Sequence, residues 1–212
     1  MWEASNSHFE ESRFGARQSK ELKAGSVAES TSHPVCAIAH ARVGDLRYRQ
    51  IVIRPAVPAD AAAIASMIRE LAAFEHLEHE VQANEDNVRD QLFAQPTRPE
   101  VIIADDAGDP VGYAVYFRTF STFVMKPGIF LEDLYVRSDR RGRGWGSALL
   151  GAVASIAVES GSGRCEWMAL DWNVRAHDFY VAHGAKRLDD WRMYRIMGND
   201  LVRLASGRSP GT

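Results

Sequence analysis

Residues 139–147 read DRRGRGWGS, with Gly142, Gly144 and Gly146 set among arginines directly ahead of the helix-forming run SALLGAVASIAVES. Glycines let backbone N–H groups approach an anion closely. A helix N-terminus adds about half a positive charge, and arginines grip phosphate oxygens in pairs. Three kinds of guest use this device: nucleoside triphosphates, dinucleotides and acyl-CoA thioesters. A Walker loop needs a lysine ahead of its Ser or Thr, and here Ser147 directly follows Gly146, which excludes phosphoryl transfer by that route. A dinucleotide fingerprint has Asp171 in its favour, at the end of the next strand where a ribose-binding acid would lie. Against it, the third glycine position is Ser147 and five residues, Arg137 to Arg141, separate strand from first glycine. The chain also has only one clear βαβ crossover. What remains is Arg141-x-x-Gly144-x-Gly146, flanked by Arg140 and Arg143, and a pyrophosphate is its natural guest.

The 212 residues are 46% hydrophobic and 25% charged, an ordinary globular composition for one domain with extra length at an end. A net charge of -3 argues against a nucleic-acid binder that relies on a positive field. Cys36 and Cys165 are too few and too irregular for a disulfide framework or zinc ribbon. No apolar run approaches the roughly 18 residues of a membrane span, and no secretory h-region is visible, so a soluble, reducing, cytoplasmic setting is expected. Residues 1–48 are rich in Ser and Glu and poor in aliphatics; they read as a disordered or loosely ordered extension. A domain is expected over 49–206, and 207–212 as a flexible C-terminus.

Outward from the glycine loop, the pattern is mixed α/β. RYRQIVIRPA is a strand, and the run after it is a helix with Asp60 as its cap and Ile64, Met67, Ile68 and Leu71 on one face. NEDNVRDQLFA is a second helix, VIIADDAGDPVGYAVYF a hairpin and GIFLEDLYV a strand. After the loop come a helix, the strand CEWMALD, the helix VRAHDFYVAHG closed by Gly184, and a last strand DWRMYRIM.

FLEDLYVRSDRRGRGWGSALL followed by ALDWNVRAHDFYVAHGA resembles the GNAT acetyltransferase superfamily, in particular its diamine (spermidine/spermine-type) and thialysine N-acetyltransferases. The similarity runs from about Ile51 to about Leu204. It implies the GNAT fold, a mixed, mostly antiparallel central sheet flanked by helices. It implies acetyl-CoA as co-substrate, held by the strand backbone of Leu134, Tyr135 and Val136, by the loop Arg141, Gly142, Arg143, Gly144, Trp145 and Gly146, and by Asn173, Val174, Arg175 and Ala176. It assigns Tyr180 as general acid beside the cofactor and Glu132 as the carboxylate next to the reacting carbon. It places acceptor contacts at Phe74, Glu75, Glu166, Trp167 and Met168, and a homodimer is the form it implies. Asp133 and Asp171 add negative charge near the thioester end.

The chemistry makes these assignments reasonable. An alkylamine resembles lysine, with a pKa of about 10.4, so about one molecule in a thousand is nucleophilic at neutral pH and removing its proton costs about 4 kcal/mol. A carboxylate near the acceptor can relay that proton, and a tyrosine can protonate the departing thiolate. Glu75, Glu78 and Glu80 in FEHLEHE suit an acceptor with several ammonium groups. The acidic segment that precedes Gly-Trp in the diamine enzymes is shorter here, with Asp189 and Asp190 in its place. An amino-acid acceptor would need a cation for its carboxylate, for which Arg118 or Lys126 stands available. His76 and His79 do not match H-E-x-x-H and lack a third ligand, so no metal is expected. Two other readings stay open: acetylation of a peptide or aminoglycoside amine, and an acyl-CoA-binding GNAT-fold protein without turnover.

Overall fold

The computed structural model describes residues 51–95 and 98–207. The expected N-terminal extension over 1–48 and the stretch 208–212 lie outside the described residues. Five strands form one sheet in the order β1 (Val52–Pro55), β2 (Glu100–Asp106), β3 (Asp109–Ser121), β4 (Lys126–Val136) and β5 (Cys165–Trp167). The first four are antiparallel neighbours and β5 runs parallel to β4. The parallel pair needs a crossover, which α3 (Trp145–Glu159) supplies. The remaining α-helices are α1 (Ala61–Glu75), α2 (Glu85–Arg89), α4 (Val174–Ala182) and α5 (Gly198–Ala205).

Alternation along the strands sorts the core into two layers. Ile102, Ala104, Ala114 and Tyr116 pack toward Leu149 and Val153 of α3. Val101, Ile103, Tyr113 and Val115 pack toward Ile64 and Met67 of α1. A strand side chain changes face at every residue, so a sheet covered on both sides reads as near-continuous apolar runs, as VIIA and YAVY do. The hairpin expected between β2 and β3 turns at Ala107 and Gly108, both at positive φ (58° and 91°), with the Asp105 carboxylate accepting from Gly108 N–H at 2.6 Å.

Three expectations are corrected. The strand expected over CEWMALD stops at Trp167, because β4 pairs with it only through Ile129, Phe130 and Leu131. The expected last strand DWRMYRIM has no ladder partner among the described residues; it is irregular and solvent-exposed, and is followed by α5, which the pattern had not suggested. Asp60 stands at the start of α1 without capping it. Its carboxylate turns back to Val57 N–H (2.8 Å) and takes both Nη1 and Nη2 of Arg54 (2.7 and 2.8 Å).

Candidate active site

The site begins with an irregularity in β4. Val115 faces Asp133 and Tyr116 faces Leu131, so Glu132 has no cross-strand partner and forms a β-bulge. One extra residue reverses the alternation beyond it. Ile129 and Leu131 join the α3 layer, whereas Tyr135 joins the α1 layer. The bulge also lies where β5 stops following β4, leaving the edge at Glu132–Val136 without a strand partner among the described residues. A cavity of about 380 Å³ opens in this gap.

One wall is the glycine loop. Gly142 and Gly144 sit at φ of 76° and 86°, conformations that L side chains rarely adopt, and a Cβ on Gly142 would project into open space. The first backbone bond into α3 is Ala148 N–H to the Gly144 carbonyl (3.0 Å), and no side chain caps the helix. The N–H groups of its first turn therefore have no intrahelical acceptor, next to a widened sheet edge. That cradle fits a pyrophosphate with an extended arm lying along β4. The arginines of the loop differ in what they touch. Arg140 is committed to Asp106 (2.8 Å) and Asp109 (2.9 Å). Arg141 donates through Nε to the Val136 carbonyl (2.9 Å), and its guanidinium lies 5.4 Å from the ring centroids of both Phe74 and Tyr135.

The opposite wall carries the acids. Asp133 accepts from the hydroxyl of Tyr113, a fully buried side chain, at 3.1 Å. Burial pushes the Asp133 carboxyl up to about 6; the Tyr113 hydrogen bond pulls the other way, and the nearby charges of Glu132 and Glu75 add to the rise. Burial also raises the Glu75 carboxyl at the end of α1. Tyr180 stands on α4, its ring 4.9 Å from Trp167 and 5.2 Å from Phe179. Burial first, and the Glu75 charge second, push its phenol up to about 12, so it keeps its proton at neutral pH. Its ring packs while its hydroxyl group carries a transferable proton.

Most of the residues expected from the sequence meet in this cavity. Phe74, Glu75, Glu132, Asp133, Leu134, Tyr135 and Val136 line it, with Arg141, Gly142, Gly144, Trp145 and Gly146 of the loop, Trp167 and Met168 beyond β5, and Asn173, Arg175, Ala176 and Tyr180. The Asn173 side chain also caps α4, accepting from Ala176 N–H at 3.1 Å. Arg143, Val174, Glu166 and Asp171 do not line it. Glu166 is turned away in an ion pair with Arg164 (2.8 Å). Arg118 and Lys126 are also elsewhere, and the cations that reach the cavity are Arg141 and Arg175. Leu71, Leu131, Ser147, Ala169, Leu170 and Phe179 line it unforeseen. Ser147 bonds His183 (3.0 Å), and its place at the third glycine position of the loop pattern was the available signal. Nothing in the sequence separated Tyr113 from ordinary strand packing. Among the described residues no group of His, Cys, Asp and Glu is arranged to hold a metal ion.

Known proteins share this chain's sequence and fold. The model of the acetyltransferase (GNAT) family matches residues 65–185. A thialysine N-epsilon-acetyltransferase from Bos taurus is 34% identical over 166 residues, covering 73% of this chain and 97% of the bovine protein. An L-ornithine N5-acetyltransferase from Arabidopsis thaliana is 30% identical over 198 residues, covering 72% and 86%. Among solved structures, an integron cassette protein from the mobile metagenome of V. cholerae superposes with a TM-score of 0.62 at 25% identity, covering 73% of this chain and 97% of its own.

Proposed function

The chain belongs to the acetyltransferase (GNAT) family and is an N-acetyltransferase of small-molecule amines; we propose that its donor is acetyl-CoA and its acceptor a diamine, polyamine or thialysine-like primary amine. The observation that carries this reading is that one cavity joins a glycine-lined helix N-terminus, an unpaired strand edge, a half-buried tyrosine and a set of carboxylates. Bound there, acetyl-CoA would supply an acetyl group activated as a thioester.

The chain's own groups divide the remaining work. The loop amides of Gly142 to Gly146 and the first turn of α3 hold the diphosphate, and the backbone of Leu134, Tyr135 and Val136 aligns the arm. Glu132 and Asp133 open on the same cavity, where a carboxylate takes the proton of the acceptor ammonium, while Tyr180 protonates the leaving sulfur. Glu75 and Phe74 at the end of α1 offer a charged and an aromatic surface to the acceptor. Thialysine and L-ornithine, after which the two relatives are named, both end in a primary ammonium, which is what such a surface suits.

A second copy of the chain is the partner we propose. Nine large apolar side chains between Leu188 and Leu204 are exposed, and β5 is an edge of the sheet. A run of that kind marks an interface. We place the protein in the cytoplasm; among the described residues no helix is long and apolar enough to cross a membrane. The experiment is a panel of primary amines incubated with acetyl-CoA, with release of free thiol as readout. Turnover with diamines or thialysine is expected. Binding of NAD with no uptake of coenzyme A would overturn the reading.

A further inference from the structure

We propose that Asp133 is the carboxylate that receives the acceptor's proton, and that the buried hydroxyl of Tyr113 is the positioning group that aims it. The inference deepens the acetyltransferase reading and rests on it. The two adjacent acids of β4 are placed differently by the bulge. Glu132, the unpaired residue, is exposed to solvent. Asp133, one step on, is back in register opposite Val115 and turned to the α1 side of the sheet, where it lines the cavity. Tyr113 lies two residues before Val115 on β3, fully buried, and reaches Oδ2 of Asp133 at 3.1 Å. A phenol locked in the core engages one carboxylate oxygen and thereby orients the other toward the acceptor. A solvent-facing glutamate has no comparable anchor.

The electrostatics point the same way. The groups that act on Asp133 are the charges of Glu132 from its own strand and Glu75 from α1 and the hydroxyl of Tyr113 from β3; Tyr135, Arg141, Arg175 and Tyr180 line the same cavity. Their sum with burial moves the carboxyl from 3.8 to about 6. It is still ionised at neutral pH, yet about two pK units nearer to the amine it must deprotonate than an ordinary aspartate would be. In the step itself, the ammonium N–H bond breaks with its electron pair left on nitrogen, and an O–H bond forms on Asp133. The nitrogen then forms the C–N bond as the C–S bond breaks, and Tyr180 gives its hydroxyl proton to sulfur. The acylated nitrogen then gives its second N–H proton to the tyrosinate, which restores Tyr180, and the proton held by Asp133 leaves to solvent, so the site resets without an oxidant or reductant.

The test compares Tyr113→Phe, Asp133→Asn and Glu132→Gln with the parent in two measurements. The first is kcat/KM for the amine against pH. The parent should show a rising limb near pH 6, moved up by about one pH unit in Tyr113→Phe, unmoved in Glu132→Gln, and lost in Asp133→Asn together with about 100-fold of the rate. The second is the infrared carboxyl band of the unliganded protein, which should titrate near pH 6, shift upward in Tyr113→Phe and vanish in Asp133→Asn. Phenylalanine fits the tyrosine site, so Tyr113→Phe carries the test even if Asp133→Asn is poorly folded. Normal turnover with an unmoved limb in Tyr113→Phe, or a limb lost in Glu132→Gln, overturns this inference alone. Failure of the parent to turn over any amine overturns the acetyltransferase reading and this inference with it, whatever the infrared band does.

Discussion

Two aspartates of this chain are shifted in opposite directions, and their contributions to stability have opposite signs. The bidentate hydrogen bonds from Arg54 hold the Asp60 carboxyl below its usual range. A depressed carboxylate stabilises the fold above its unfolded value and loses that contribution as the pH falls through the folded one. Asp60→Ala should therefore cost about 2 kcal/mol in urea unfolding at pH 7, a deficit that shrinks as the pH drops below about 4. Asp133 is raised, so its folded form holds its proton longer than the unfolded chain does. Stability is then full below about pH 4 and declines as the pH rises through about 6. Asp133→Asn should be more stable to urea than the parent at pH 8, by about 3 kcal/mol, with little difference at pH 4. Equal stability of the two at pH 8 would mean that the carboxyl is not held at a cost to the fold. Tyr180 is a case of chemistry without charge: Tyr180→Phe keeps the ring contacts with Trp167 and Phe179. It should lower kcat about 100-fold while calorimetry shows coenzyme A affinity within about twofold.

At the scale of elements, what the sequence disclosed follows from how local each signal is. The glycine loop, the start of α3 and the β2–β3 turn are written in consecutive residues, and they form where their composition says. The bulge at Glu132 is not local. It exists because Val115 pairs with Asp133 while Tyr116 pairs with Leu131, a relation between two strands that neither strand states by itself. The same holds for Tyr113, whose role depends on which face of β4 Asp133 occupies, and for Arg140, whose carboxylate partners come from the hairpin some thirty positions earlier. Loop geometry, by contrast, offers a direct test. Gly144 at φ 86° precedes α3, and a Cβ there would also come within 3.3 Å of Ile51. Gly144→Ala should lose about 1–2 kcal/mol of stability to the left-handed backbone and weaken coenzyme A binding about tenfold, both read by calorimetry. Gly161→Ala, at a positive φ in open space and outside the cavity lining, should share the first effect and not the second.

For the whole molecule, the segment that departed most from expectation is the one with least to pack against. DWRMYRIM has the aromatic and aliphatic content of a strand, and a strand needs a neighbour to supply its hydrogen bonds. The sheet of one chain ends at a three-residue β5, and residues 186–207 are exposed throughout. Their sequence carries a preference that a single copy leaves unsatisfied, which is why the local pattern and the observed backbone disagree. The second copy proposed above would cover Trp191, Tyr194 and Leu201, whose exposure is otherwise unfavourable. Light scattering on the purified protein should give a mass of twice 23.6 kDa. The double variant Trp191→Asp, Leu201→Asp removes apolar surface without touching either core layer, so it should run at the mass of one chain with its thermal unfolding still cooperative. If acceptor binding draws on the junction between copies, the same variant should raise KM for the amine several-fold and leave coenzyme A affinity unchanged. A parent that already runs as one chain at micromolar concentration would refute the assembly and leave the exposed run to be explained by another partner.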